Sequence, residues 1–471
     1  MKSNISSFTS IVLLFAVGLP SLGAEVHMAT GIKIVEVDAS SAAIWTRLTK
    51  YKTRNSSGSP FEDAAESLPA GKSLDDMQGS AVGISGDVRV TYWVEGNGGE
   101  TKKQSTPWHS VNPSANFTHL FKLSDLNSGT AYTLIAEGRA SKDDQTSVRV
   151  EGKFGTAPTA SQPSPVSFTV VTGQDYIRRD DEVNGHQIFR EMLKLDPDFF
   201  VHTGDVVYYD KPAPWAKNEA LAHFKWNSTY ALPFQRNFHN NVASYFMRDD
   251  HDITKNDSWP GVDYGDLKWE RGLEIFREQT GLPALPYRTI RWGQDLQIWL
   301  VAGREYRSPN DMPDGPSKTI WGAEQKQWFF DSVKNSDAAF RVLISPTPIV
   351  GPDRGTKNDN HANAGFTHEG DEIREFVSHQ KNMFIVCGDR HWQYVSVDPK
   401  TGVREFSCGP TSDQHAGGWS QDNVSDMHQY LNVKGGFLKV EISRENEQPQ
   451  AAFKHYGVNG QVYHEEIQML K

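Results

Sequence analysis

Residues 198 to 210 read Asp-Phe-Phe-Val-His-Thr-Gly-Asp-Val-Val-Tyr-Tyr-Asp. Phe199 to Thr203 is a short apolar, β-prone run, the pattern of a buried strand. Gly204 breaks it, and glycine there lets the chain turn sharply and frees the next side chain to point into a crevice. That next residue is Asp205, with Tyr208 close behind. The same arrangement recurs on both sides. Upstream, Ser167 to Thr172 runs into Gly173-Gln174-Asp175; downstream, Met383 to Cys387 runs into Gly388-Asp389-Arg390-His391. Between them lies Met247-Arg248-Asp249-Asp250-His251-Asp252. Ile298 to Ala302 and Arg341 to Ile344 add two strands. Ile188, Phe189, Met192 and Leu193 form a helical stripe, and Gln325 to Val333 reads as helix. This alternation predicts an α/β layered domain over residues 166–471. In open α/β sheets the carboxyl ends of the strands hold the ligand site.

The rhythm upstream is different. Ile32 to Val37, Ala43 to Leu48, Asp87 to Val94, Phe117 to Leu123, Ala131 to Gly138 and Ser147 to Phe154 predict an all-β unit over 24–158. A Leu-rich turn with Gly129-Thr130 before Tyr132 has the pattern of a tyrosine corner, so a fibronectin type III-like sandwich is expected. The Gly- and Ser-rich stretch from Asn55 to Gly86 is expected to be a long loop inside it. A Pro/Ser/Thr stretch, Thr156 to Pro165, marks the boundary, with 159–165 as linker. Residues 1–23 carry Lys2, the apolar run Ile11 to Val17, and small residues at Ser21 and Gly23. This is the pattern of a signal peptide cut near Gly23-Ala24, for a secreted or periplasmic protein.

Composition sets the limits. The chain has 471 residues, with 37% hydrophobic and 23% charged, a globular composition that excludes a disordered or multi-span membrane protein. A net charge of −11 gives no long-range attraction for nucleic acid. No specific nucleic-acid recognition and no stable membrane span are expected, and a monomer is. An anionic substrate would need a local positive centre. Two cysteines, Cys387 and Cys408, exclude a disulfide scaffold and are expected as buried thiols, with a disulfide as the alternative.

Taken singly, each acidic piece has an ordinary explanation. Gly-Asp is a turn dipeptide and occurs elsewhere, as at Gly265-Asp266. The ordered set at successive strand ends is more than that. Asp, His and Tyr suit zinc, iron, manganese or calcium. Carboxylates so crowded would repel one another without a cation. Two metals about 3.5–4 Å apart would accommodate them and promote an in-line displacement at phosphorus.

The order Gly-x-Asp, Gly-Asp-x-x-Tyr, Asp-Asp-His-Asp, Gly-Asp-x-His resembles the alkaline phosphatase D family of the metallophosphoesterase superfamily, with kinship to purple acid phosphatases. Ile44-Trp45-Thr46-Arg47-Leu48 is similar to that family's N-terminal signature, and Gly303-Arg304-Glu305-Tyr306-Arg307 to its Arg-x-Tyr-Arg strand end. The resemblance implies a four-layer α/β catalytic domain behind the β domain. It implies phosphomonoester or phosphodiester hydrolysis by a metal-bound hydroxide at a dinuclear site, with iron and calcium first in line and zinc or manganese as alternatives. Asp175, Tyr208 and His391 would hold the first metal, Tyr208 as a phenolate. Asp205 would bridge. Asp250, Asn256 and Asp389 would hold the second. His251 would protonate the leaving oxygen.

The chain departs from the pattern in places. Gln174-Asp175 stands where many members carry Cys. Asp250 stands where the superfamily has Asn, and no further His block follows Leu343-Ile344-Ser345. The polar loop Gly351 to Gly365 is there instead, read as a substrate rim with Arg354, Lys357 and His361. Guanidinium suits phosphate oxygens bidentately. Arg390, between two proposed ligands, is therefore grouped with His251 as catalytic, and Arg304 and Arg307 with substrate binding. Structural ion pairs are the alternative for all three. The competing function is an exported surface- or polysaccharide-binding protein using its 13 tryptophans, with a structural metal site and no catalysis.

Overall fold

A computed structural model describes residues 25–96 and 102–471. The expected signal peptide lies outside the described residues. The predicted α/β half is built on two large sheets. The strands Val166–Val171, Phe199–His202 and Ala243–Phe246 run parallel at the centre of the first, with Phe199 paired to Phe168 and to Ala243. In the second, Leu296–Leu300, Phe340–Ser345, Met383–Cys387 and Arg404–Cys408 run parallel.

Side-chain alternation explains the layering. Phe168, Val170, Phe199 and Val201 point to one face and join Ile298, Val342, Ile344 and Val386 of the other sheet in one core. Val171 and Phe200 point the opposite way, onto Ile188, Phe189 and Met192 of the helix Gln187–Lys194 and Phe238 of the helix Pro233–His239. The helices Gly322–Lys334 and Thr367–Ser378 cover the outer face of the second sheet through Phe329, Ile373 and Val377. The result is four layers, helix, sheet, sheet, helix. Strand bounds agree with the sequence reading to within two residues at 166–171, 199–202 and 383–387.

The N-terminal part, residues 25–158, is all-β, as its pattern predicts. Tyr132 is buried, and its hydroxyl accepts the Asn127 backbone N–H at 2.8 Å, which makes the tyrosine corner. It does not form two sheets of its own, however. The strands Lys33–Val35, Ala42–Arg47 and Thr118–Leu123 continue the first, nine-stranded sheet, joined through Val35 opposite Ser244. Only Gly86–Val94, Ala131–Arg139, Val148–Gly155 and two short strands form a separate sheet, which packs on that extension through Val88, Val90 and Leu134 against Ile34, Ile44 and Phe121. The reason is edge pairing: the strand Ala243–Phe246 would otherwise expose unpaired backbone groups.

The Asn55–Gly86 segment is loop-like, as expected, but it leaves the sandwich. Phe61 meets Phe224 edge to face at 5.1 Å, and Met77 joins the same cluster as Trp226, so the loop buttresses the helix Glu219–Tyr230. Among the described residues no helix is long and apolar enough to cross a membrane. Cys387 and Cys408 are buried free thiols.

Candidate active site

Loops from the carboxyl ends of both sheets meet at one cavity of about 490 Å³. Two glycines make the meeting possible. A Cβ on Gly204 would come within 2.5 Å of the Asp249 backbone nitrogen, and one on Gly388 within 2.1 Å of Thr203 Oγ1. The residue after each, Asp205 and Asp389, adopts a left-handed backbone, with φ of 56° and 59°. Such conformations are uncommon outside glycine and persist where the surroundings enforce them.

Asp252 supplies much of that enforcement. Its buried carboxylate accepts N–H from Asp205 at 2.7 Å, Val206 at 2.7 Å, Val207 at 3.0 Å and Asp249 at 3.0 Å. It thereby ties the loop after Phe199–His202 to the loop after Ala243–Phe246. Arg304, fully buried, donates through Nε to Asp249 and lies 3.7 Å from Asp250.

The acidic groups then fall into two sets that share Asp205. Asp205, Asp250 and His251 offer ligand atoms within 4.8 Å of one another, and so do Asp205, Asp249 and Asp389. Asp205 Oδ1 and Asp249 Oδ2 are buried without a partner. Burial, and then the charges of Asp249, Asp250 and Asp252, push the Asp205 carboxyl well above its usual range, against the pull of His251. A buried carboxylate cluster with orphaned oxygens fits cations. Tyr208 adds to the set: its hydroxyl donates to Asp205 Oδ2 at 3.0 Å and lies 3.4 Å from His391 Nε2. Burial, with Asp205 and Asp175 beside it, holds it as a neutral phenol, so a phenolate there needs a cation.

His251 has a partner the sequence reading did not identify. Its Nδ1 is 2.5 Å from Asp210 Oδ1, while Asp210 Oδ2 accepts the Asn256 N–H at 2.8 Å. Burial opposes the imidazolium, but Asp250, Asp205 and Asp210 outweigh it and push its pKa up to about 10.

The other predicted residues separate. Asn256, Asp389, His391 and Arg354 line the cavity. Asp175 is buried next to it, but its Oδ1 accepts the Ile177 N–H at 3.1 Å and it belongs to neither acidic set. Arg390 is fully buried, donating to Asp353 Oδ1 at 2.7 Å beside Asp389. Three of the four expected substrate contacts turn inward instead. Arg304 serves Asp249, as above. Arg307 is buried against Asn310 and the Phe366 ring. His361 is buried on Glu369 at 3.0 Å. Arg304 is drawn in by a partner 55 positions away, Arg307 by Asn310 and a ring, and His361 by a carboxylate eight positions on.

The rim cations are Arg178, Lys211, Arg354 and Lys357, of which Arg178 and Lys211 carry no motif in the sequence. His415 and Trp392 complete the wall. The missed Asp252 had a signal, the Asp249-x-x-Asp252 spacing of a capping box. His415, a single histidine before Gly417-Gly418, had none.

A family model described as PhoD-like phosphatase matches residues 168–446. A curated relative, alkaline phosphatase D of Bacillus subtilis (strain 168), is 22% identical over 341 residues, 59% of this chain and 56% of that protein. The chain thus spans little more than half the length of this relative. Among solved structures, one titled Structure of PhoD superposes with a TM-score of 0.70 at 16% identity, over 96% of this chain and 90% of that one. Purple acid phosphatase PPD1 from yellow lupin (Lupinus luteus) seeds gives 0.64 at 12% identity, over 93% and 73%. These two likenesses are of fold. The family match covers more than half of the sequence and contains every strand-end loop of the cavity: the chain belongs to the PhoD-like phosphatase family.

Proposed function

We propose that this protein is an exported, monomeric phosphoric ester hydrolase that works with two cations on monoesters, diesters or both. The carrying observation is the buried acidic cluster around Asp205, with Tyr208 and His391 on one side of it and Asp249, Asp250 and Asp389 on the other, at the floor of a cation-rimmed cavity. In this reading Asp205 bridges, Tyr208 and His391 hold one cation with Asp175 nearby, and Asp250, Asn256 and Asp389 hold the other, with Asp249 added to that set. Iron suits a phenolate and imidazole; calcium suits the all-oxygen side; zinc and manganese are the alternatives. When bound, such a pair neutralises charge at phosphorus and acidifies water.

The chain's own groups do the rest. Arg354 and Lys357 receive the phosphate oxygens at the rim. Arg390 positions Asp389 from below. Asp210 takes the Nδ1 side of His251, so the Nε2 proton is the one available to the leaving oxygen. Export is read from Lys2, the apolar run Ile11 to Val17 and the small residues before Ala24. Residues 24–158 and 166–471 are read as two units, linked by 159–165, that share one sheet.

The test is hydrolysis of a chromogenic phosphate monoester and its diester by the purified chain. Activity should disappear on chelation and return with iron plus calcium. No activity with iron, calcium, zinc or manganese would overturn the assignment. N-terminal sequencing of protein recovered outside the cytoplasm, expected to begin at Ala24, tests export.

A further inference from the structure

His415 is the imidazole in the cavity wall that the motif blocks leave unexplained. It ends a short turn, Asp413–His415, and is 2% exposed. Its Nδ1 lies 2.9 Å from the carbonyl oxygen of Gly173. A carbonyl only accepts, so Nδ1 carries the proton and Nε2 keeps its lone pair. A backbone carbonyl holding one ring nitrogen is how a metal-ligating histidine is commonly oriented. Its ring centroid is 4.0 Å from that of His391 and 5.3 Å from that of Tyr208.

The segment carrying it is tied to the same loop. Thr411 Oγ1 donates to the Gly173 carbonyl at 3.0 Å, and Ser412 Oγ to the Arg178 carbonyl at 2.5 Å. Gly173 itself has φ of 59°, and a Cβ there would stand 3.3 Å from both His391 Nε2 and His415 Cε1. The missing side chain is what lets the two imidazoles close on this corner of the cavity.

We infer that His415 is a ligand, through Nε2, to the cation held by Tyr208 and His391. The donors on this side are then two imidazoles and a phenol oxygen, with Tyr208 in turn hydrogen-bonded to Asp205. Two nitrogens favour iron or zinc over calcium, which prefers oxygen. On the other side, Asp249, Asp250 and Asp389 offer oxygen. The two positions are therefore built for different metals. This inference rests on the two-cation reading.

The test loads the purified full chain with zinc and calcium together and counts metals per chain by mass spectrometry. Wild type should hold one zinc and at least one calcium. His415→Phe fills the space without coordinating and should weaken zinc roughly tenfold or more, calcium being retained. His415→Cys, whose thiolate can coordinate, should keep zinc. X-ray absorption of the zinc-loaded wild type needs no variant and should report two imidazoles. Wild-type zinc affinity in His415→Phe, or a single imidazole, overturns this inference and leaves the two-cation reading standing. A wild type that binds neither metal overturns both.

Discussion

The floor of the cavity and its rim carry opposite charge and are held by different means. On the floor, Asp205 and Asp389 sit at strand ends in enforced left-handed conformations, and Asp252 fixes the connecting loops with four accepted N–H groups. On the rim, Arg354 and Lys357 ride on a loop without regular structure, and Lys357 is anchored by ion pairs to Asp257 at 2.6 Å and Asp359 at 3.5 Å. The floor is geometrically specified and electrostatically uncomfortable until cations arrive. The rim is comfortable in water and adaptable. A site divided in this way confines its chemistry to the rigid part and leaves substrate preference to the part that can change.

The sharpest way to break this contrast is Asp205→Ala. Activity should drop on the order of 10⁴-fold, with metal lost in the same preparation, because one residue serves both acidic sets. Activity and metal content both retained would remove Asp205 from the centre of the floor.

Asp252→Asn comes next. An amide cannot accept four N–H groups, and each buried donor left unpaired costs about 1–3 kcal/mol. The melting temperature should fall, and because a displacement of about 1 Å at the chemistry can cost on the order of 10²-fold, activity should fall with it. Calorimetry with a parallel rate assay would detect both; an unchanged melting temperature would show that the loops hold themselves.

Asp210→Asn tests the acid without removing a proposed ligand. Metal content should stay, and the rate should fall about tenfold. His251 acts while protonated, so activity is present below its pKa and lost as pH rises through it. The Asp210 charge helps to raise that pKa, so in the variant the alkaline limb of the pH–rate profile should move to lower pH. A limb that does not move would detach Asp210 from His251.

The smallest effects belong to the rim. Arg354→Ala or Lys357→Ala should raise KM roughly fivefold, about 1 kcal/mol, with kcat little changed. His361→Ala, from the same loop, should leave KM alone and lower the melting temperature, since its partner is the buried Glu369. Equal KM effects at Arg354 and His361 would erase the distinction between inward and outward residues of this loop.

Legibility in the sequence follows the same division. Gly204-Asp205 and Gly388-Asp389 could be read because a strand end, a glycine and an acid are adjacent in the chain. Arg304 and Arg354 could not be told apart. Both are arginines beyond a strand, and what buries Arg304 is Asp249, 55 positions away. Asp210 and Asp252 act on groups 41 to 47 positions distant, through hydrogen bonds that leave no periodic trace. The all-β character of residues 25–158 was plain from their alternation. That their strands complete the catalytic sheet was not, because pairing Val35 with Ser244 is a property of two edges and not of either segment.

That shared sheet also governs the order of events in the cell. The strand Lys33–Val35 leaves the ribosome long before its neighbour Ala243–Phe246 exists. At ~5–20 residues per second the interval is about 10–40 s, during which an early apolar edge has no native partner. The junction is thus postponed until at least half of the chain has been made, and the sheet is complete only when the strands of residues 436–469 arrive. Whatever receives the growing polypeptide, a chaperone or a translocation channel, meets it while that edge is still open.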